Sequence, residues 1–389
     1  MRLSGRAEPN VFLTGATGVL GARILTDLLR DTDVNITCLV RASCIAQAFS
    51  RLEKMLRVYD PDLTLANDLK CRVQPLIGDI AAAQFGLEKE EFSRLVAETE
   101  VVIHCAANTN LFGRLSTARA INVKGTHEVV NFTLATERRE LLFVSTFTVM
   151  GDKTFDADFT LYEEDFDVGQ EFPFMSYQQS KFEAEAIVRQ ACERGLNWQI
   201  VRPGQIFGDN THGYYPQGET NVSGLFYDIF KTVIDTGVAF SSEVIFDVTP
   251  VDYVSKASIF FALKHRAFGA TFHLTNPDER TYSEIIEMIR AYGYDIRFVR
   301  QDEYKVMLNE RLLVAHGKEY RSATTQAFRC WFRHKSFDFS SSGRVDCSRA
   351  RGILQRYEIH CKPIEDLIKV YLKRGIGSAH VPTLIQLDI

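Results

Sequence analysis

The feature that most constrains this chain is a glycine loop set between an apolar run and a helical pattern. Val11-Phe12-Leu13-Thr14 has strand character, and Gly15-Ala16-Thr17-Gly18-Val19-Leu20-Gly21 follows it directly. From Val19 to Arg30, the residues Leu20, Ile24, Leu25, Leu28 and Leu29 recur at helical spacing. A strand, a glycine turn and a helix in this order predict the phosphate-binding start of a dinucleotide-binding fold. The first glycine permits a tight turn, the second lets backbone approach a pyrophosphate, and the third lets helix and strand pack closely. The free N–H groups and partial positive charge of the helix N-terminus favour phosphate there. Thr14, Gly15, Thr17, Gly18, Val19, Leu20 and Gly21 are the expected contacts. Plain turn punctuation is the competing reading of glycines three apart, and the strand–turn–helix context weighs against it.

The rest of the first half keeps the same rhythm. Residues 36–40, 72–77, 101–105, 141–146 and 198–203 read as further apolar strands, with helical patterns at 44–58, 115–136 and 176–194. Strand–helix alternation of this kind predicts an α/β fold, a Rossmann-type doubly wound parallel sheet. After Arg202 a glycine- and proline-rich loop is expected at 204–220, then helices at 221–236 and 281–292. The expected division is a dinucleotide-binding domain over 1–206 with a return segment 240–276. A smaller, mostly helical substrate domain covers 277–389 with an insertion 207–239.

Composition narrows the class. The 389 residues are 46% hydrophobic and 24% charged with a net charge of −5, so neither a disordered tail nor a basic nucleic-acid binder is expected. Uncharged runs such as 101–113 fall short of the ~20 apolar residues of a membrane span. The opening MRLSGRAEPN lacks an apolar signal core. The eight cysteines lie apart, without a CxxC pair or Cys/His cluster. Reduced thiols in a cytoplasmic protein without a metal site are therefore expected.

Several residues carry chemistry. The second strand ends in Leu39-Val40-Arg41-Ala42-Ser43, with no carboxylate to hold a ribose 2′-hydroxyl. Arg41, assisted by Arg51, suits a 2′-phosphate instead, so NADPH is expected over NADH. Solvated surface arginines are the bland alternative. Asp79, beside Ile80, can accept from an adenine amino group or cap a helix. Ala106 and Ala107 leave room for a ribose against the backbone. Tyr177 and Lys181 stand four apart on a predicted helix, on one face, so the ammonium is expected to lower the phenol pKa towards that of an acid/base catalyst. Thr146 ends the preceding strand, where ligands bind in open α/β sheets, and Ser145 alternates to the other face. A strand-terminal threonine bonded to backbone is the rival reading. Asn122 is expected either to anchor the Lys181 relay or to bend its helix.

Taken together, the glycine loop, Val144-Ser145-Thr146, the Tyr177/Lys181 pair and Arg202-Pro203-Gly204-Gln205-Ile206-Phe207-Gly208 resemble an extended short-chain dehydrogenase/reductase. Cys38–Ala42, Arg51-Leu52, Asn122–Thr126, Asp247–Val254, Phe272–Pro277, Phe339 and Val345–Ser348 narrow the resemblance. They are similar to the thioester reductase domains that end nonribosomal peptide and polyketide assembly lines, relatives of carboxylic acid and fatty acyl-CoA reductase domains. Phe182, where tryptophan is usual, Met150 and the run Asn108–Phe112 depart from the pattern without removing a catalytic group. The resemblance implies NADPH-dependent reduction of an acyl or peptidyl thioester, on a carrier protein or on CoA, to an aldehyde, with the primary alcohol as the product of a second reduction. Thr146, Tyr177 and Lys181 would be the catalytic set, and Pro203, Gly204 and Ile206 would line the nicotinamide side. It also implies an acidic carrier, and residues 305–351 hold ten Lys/Arg against four Asp/Glu, a local +6 suited to steering one. A nucleotide-sugar epimerase or dehydratase shares the fold and the triad, but usually has an acidic residue where Arg41 stands. A non-catalytic NADP-binding regulatory protein commonly lacks the Tyr or the Lys.

Overall fold

The computed structural model describes residues 9–111, 113–173, 175–216, 225–315, 317–319 and 342–374. Val222, Phe339 and the basic residues Arg329, Arg333 and Lys335 lie outside the described residues. Seven parallel strands form the central sheet: β1 (Val11–Thr14), β2 (Ile36–Val40), β3 (Val73–Ile77), β4 (Val101–His104), β5 (Glu140–Val144), β6 (Asn197–Pro203) and β7 (Ala270–Leu274). Their order is β7-β6-β5-β4-β1-β2-β3. The chain direction across the sheet therefore reverses between β1 and β4, which opens a crevice above their C-terminal ends.

The apolar runs form this sheet because both its faces are covered. Val11 and Leu13 of β1 join one core and Phe12 the other. Leu142 and Val144 of β5 divide from Leu141 and Phe143 in the same way. Each fully buried Leu or Phe contributes on the order of 2 kcal/mol of burial free energy. Among the elements that escaped the periodicity reading, two complete the sheet. The helix Val251–Leu263 is buried on nearly every side, so it has no polar stripe to reveal it. It packs on the helix α1 (Val19–Asp31) and delivers the chain to β7, the seventh strand.

The helix expected over 115–136 is present and carries a π bulge. Leu115–Ala118 runs into a π turn at Arg119–Val123 before Lys124–Ala135 resumes the α-helix. The loop expected over 204–220 contains a short strand, Ile206–Phe207, paired with Thr249–Pro250. Beyond the sheet lies a further apolar core, built around Phe207, Phe230, Phe246, Ile285, Leu367 and Tyr371. Helices Leu225–Thr236, Tyr282–Ala291 and Ile364–Arg374 supply most of it. No described helix is long and apolar enough to cross a membrane.

Candidate active site

One cleft of about 1430 Å³ runs from the glycine loop, over the ends of β1 and β4, to the further core. Gly15 has φ of +82°, and a Cβ there would lie 2.6 Å from the Ala106 nitrogen. The loop is thus pressed against the chain leaving β4. Gly18 opens α1, and its N–H donates to the Gly15 carbonyl at 2.9 Å. A Cβ on Gly21 would stand 2.1 Å from that same carbonyl oxygen. The third glycine therefore makes room for the loop itself rather than for the strand. The first-turn N–H groups at Val19 and Leu20 have no helical partner and border the cleft, a setting for phosphate oxygens.

Thr14 departs from the expectation. Its side chain is fully buried, with Oγ1 2.7 Å from His104 Nδ1 and accepting the Ala106 N–H at 3.2 Å, and it is not on the cleft wall. His104 Nε2 in turn meets the Thr126 hydroxyl at 3.1 Å, and burial pushes the imidazole down to about 3, so it is neutral. Thr14 joins β1, β4 and the helix behind them. Ala106 and Ala107 line the cleft beside Gly15.

At the adenosine end, Arg41 is exposed at the end of β2 and Arg51 projects from the helix α2 (Ile45–Tyr59). Arg51 donates to the Arg41 carbonyl and reaches the Thr17 hydroxyl at 3.5 Å, linking strand end to glycine loop. Lys54 also borders the cleft. The sequence reading missed it, although it lies three residues beyond Arg51 on the same helical face. Asp79 Oδ1 accepts from Ala81 N–H at 2.9 Å in a local turn rather than a helix cap. Its side chain and Ile80 line the cleft, Ile80 against Gly125, where a Cβ would lie 2.9 Å from Ile80 Cδ1.

The reaction centre lies at the end of β5. Strand alternation separates the two hydroxyls: Ser145 donates to buried Glu185 at 2.7 Å, while Thr146 faces the Tyr177 phenol in the cleft and favours its charged form. Thr146 Oγ1 also accepts from Thr148 N–H at 3.3 Å. Tyr177 and Lys181 share one face of the helix Ser176–Gln190. Their electrostatics differ from the expectation. Lys181 is 2% exposed, donates to the Val144 carbonyl at 2.8 Å and sits 4.0 Å from the Phe143 ring centre. Burial lowers its pKa to about 8, against the opposing pull of Cys105 and Glu185. Burial raises the Tyr177 phenol above its ordinary value, and Thr146 offsets this only partly. The phenol is thus held neutral by its burial, although the ammonium lies one helical turn away. Cys105, unremarked in the sequence, borders this centre with its thiol pushed up to about 12 by burial.

Asn122 lies in the π turn and off the cleft wall. It accepts from Asn108 N–H at 2.7 Å and donates to the Asn108 carbonyl at 3.0 Å and the Ser180 hydroxyl at 2.8 Å. It therefore braces the β4 loop against the Tyr177 helix. Pro203, Gly204 and Ile206 line the cleft opposite. The sequence reading quoted Asp247 only as part of a motif. Its carboxylate accepts from Gln205 N–H at 2.6 Å, Asn276 N–H at 2.8 Å and the Thr249 hydroxyl at 2.7 Å. A Cβ on Gly204 would fall 2.0 Å from it, so the loop must be glycine to close on this carboxylate.

This geometry has counterparts. Residues 13–258 match the NAD-binding family model described as Male sterility protein. The terminal R domain of the myxalamid PKS-NRPS biosynthetic pathway is 30% identical with a TM-score of 0.81, over 96% of this chain and 92% of that one. The chain belongs to the terminal reductase-domain family of NAD(P)-dependent oxidoreductases. One subunit of the linear gramicidin synthase of Brevibacillus parabrevis is 33% identical over 75% of this reductase chain. The L-2-aminoadipate reductase large subunit of Penicillium chrysogenum is 29% identical over 75%. The reductase chain spans only 6% and 21% of those two proteins.

Proposed function

We propose that this reductase uses NADPH to reduce an acyl or peptidyl thioester on a carrier-protein phosphopantetheine arm, releasing an aldehyde. The observation that carries the reading is the placing of Thr146, Tyr177 and Lys181 together in one cleft with the glycine loop. The glycine cradle, which admits no Cβ at Gly15 or Gly21, fits a pyrophosphate. Arg41, Arg51 and Lys54, with no carboxylate at the end of β2, favour a 2′-phosphate and hence NADPH over NADH. Asp79 and Ile80 would hold the adenine, and Ala106 and Ala107 the ribose.

A bound nicotinamide supplies the hydride. Thr146 and Tyr177 then donate to the carbonyl oxygen as it gains negative charge, an interaction stronger in the transition state than in the substrate. The raised phenol pKa keeps Tyr177 protonated at neutral pH, ready to give its proton to that oxygen. Lys181 compensates the charge left on the phenolate and turns towards the ribose hydroxyls. Collapse of the hemithioacetal breaks the C–S bond and frees the carrier thiol. A second round on the aldehyde would give the primary alcohol. Pro203, Gly204 and Ile206, braced by Asp247, form the opposite wall.

In this reading, residues 1–206 with the return segment 240–276 hold the cofactor, and 277–389 with 207–239 receive the acyl group and the carrier, with Phe240, Val244 and Phe246 at the start of the return segment shared with that second core. Acyl-CoA offers the same pantetheine arm, and the chemistry suits the NADPH pool of the cytoplasm. The test is oxidation of NADPH with an acyl-pantetheine thioester, in parallel with a UDP-sugar. Tyr177→Phe should lower turnover by about 10²- to 10⁴-fold while leaving NADPH binding intact. Turnover of the UDP-sugar with no oxidation by any thioester would refute the reading in favour of an epimerase.

A further inference from the structure

We propose that the far half of the cleft is a preformed chamber for an uncharged, apolar acyl group, and that it discriminates against acyl groups ending in a carboxylate. The inference rests on the thioester-reductase reading and adds the substrate class to it. One wall is aromatic and fixed: the Phe240 and Tyr282 rings stack at 4.9 Å, Phe246 lies 6.0 Å from Tyr282, and Phe230 backs Phe246 at 5.3 Å. Ile229 and Val244 continue this wall. Because it is one face of the further core, it is already packed before a ligand enters.

The opposite wall is a strap formed by Ser342–Val345. Its Ser342 hydroxyl accepts from Ile245 N–H at 2.8 Å, which ties it to the aromatic side. Gly343 N–H donates to the Thr154 carbonyl at 2.9 Å, and Arg344 and Val345 pair with Thr160 and Leu161. A Cβ on Gly343 would lie 2.6 Å from the Lys153 carbonyl and 3.0 Å from Met150 Cε, so the strap is drawn tight on the reaction-centre side. It bridges the two halves of the molecule over the cleft.

Charge decides the substrate class. Among the described residues, the only lysines and arginines on the cleft wall are Arg41, Arg51, Lys54 and Lys181. The first three sit at the adenosine end, and Lys181 is held by the Val144 carbonyl. The acidic groups on the far wall are Asp247, already bonded to three donors, Asp278, paired with Arg280 at 2.9 Å, and Glu279, paired with Arg344 at 3.9 Å. A carboxylate brought into this chamber would lose water and find, among the described residues, only cations already engaged by Asp278, Glu279 or the Val144 carbonyl. A methyl-ended chain of the same length gains apolar burial instead.

The experiment compares hexanoyl- and adipoyl-pantetheine, which share chain length and differ in a terminal methyl or carboxylate. Acetyl-pantetheine serves as the minimal thioester, and NADPH binding is followed by fluorescence. The expected result is a kcat/KM for hexanoyl at least about tenfold above adipoyl. Val244→Lys, which places an ammonium on the half-buried far wall, should narrow that ratio by about tenfold while NADPH still binds. Adipoyl turned over as well as hexanoyl, with acetyl also reduced, would overturn the chamber assignment and leave the reductase reading standing. No oxidation with any of the three thioesters would overturn both. A Val244→Lys protein that binds NADPH and keeps the wild-type ratio would overturn the electrostatic basis of the selection.

Discussion

Replacing Lys181 with methionine should stabilise the fold while destroying the activity. Lys181 is 2% exposed, and burial takes its pKa from 10.5 to about 8. At about 1.4 kcal/mol per pH unit, the ammonium is about 3 kcal/mol less favourable in the folded protein than in the unfolded chain. Its hydrogen bond to the Val144 carbonyl returns about 1 kcal/mol when methionine is compared with lysine. Lys181→Met, similar in length and uncharged, should therefore raise the unfolding free energy near pH 7 by about 2 kcal/mol. The sign with pH follows from linkage. Between pH 8 and 10.5 the unfolded chain binds the proton that the folded protein has lost, so wild-type stability rises with pH through that window. The advantage of the variant should shrink over the same range. Urea unfolding of both proteins at pH 7 and at pH 10 measures this directly. A variant less stable than wild type at pH 7, by an amount that pH does not change, would refute the reasoning.

Three further outcomes are expected. Gly21→Ala, whose Cβ would meet the Gly15 carbonyl at 2.1 Å, should abolish saturable NADPH binding in a fluorescence titration. A normal titration would mean that the loop tolerates a shift of its first turn. Arg41→Ala should raise the KM for NADPH by about tenfold and leave that for NADH nearly unchanged, as expected for one lost charge-assisted contact. Equal effects on both cofactors would remove the 2′-phosphate assignment. Charge reversal at Arg329, Arg333 and Lys335 should lower kcat/KM on an acyl-loaded carrier protein, increasingly so at low salt, and leave free acyl-pantetheine unaffected. Unchanged turnover of the loaded carrier would remove the steering idea.

The parts of the site legible in the sequence are those set by local spacing. The glycine loop, the Tyr177/Lys181 face and the alternation of Ser145 and Thr146 each depend on residues within one element and its flanks. What escaped depends on partners far along the chain. Thr14 turns away from the cleft because His104, on the neighbouring strand, offers it a buried partner. Asn122 serves the Asn108 loop because a π turn displaces it, and a helical period cannot forecast that turn. Asp247 clamps Gln205 and Asn276, neighbours only after β6 and β7 have paired. The same pairing explains the missed seventh strand, whose feeding helix is buried on nearly all sides. The expected coupling of phenol and ammonium gives way to burial. Helical spacing puts Tyr177 and Lys181 on one face, but the folded cleft desolvates the phenol and raises it, which spacing alone cannot forecast.

The central claim is hydride transfer to a thioester carbon at the Thr146–Tyr177 pair. Its most direct measurement is product mass spectrometry after incubation of hexanoyl-pantetheine with NADPH deuterated at the transferring position. The account expects hexanal carrying one deuterium, or hexanol carrying two, together with free pantetheine thiol, with product formation by Tyr177→Phe lowered by at least about 10²-fold. Release of hexanoic acid, or of an aldehyde without deuterium, would contradict it.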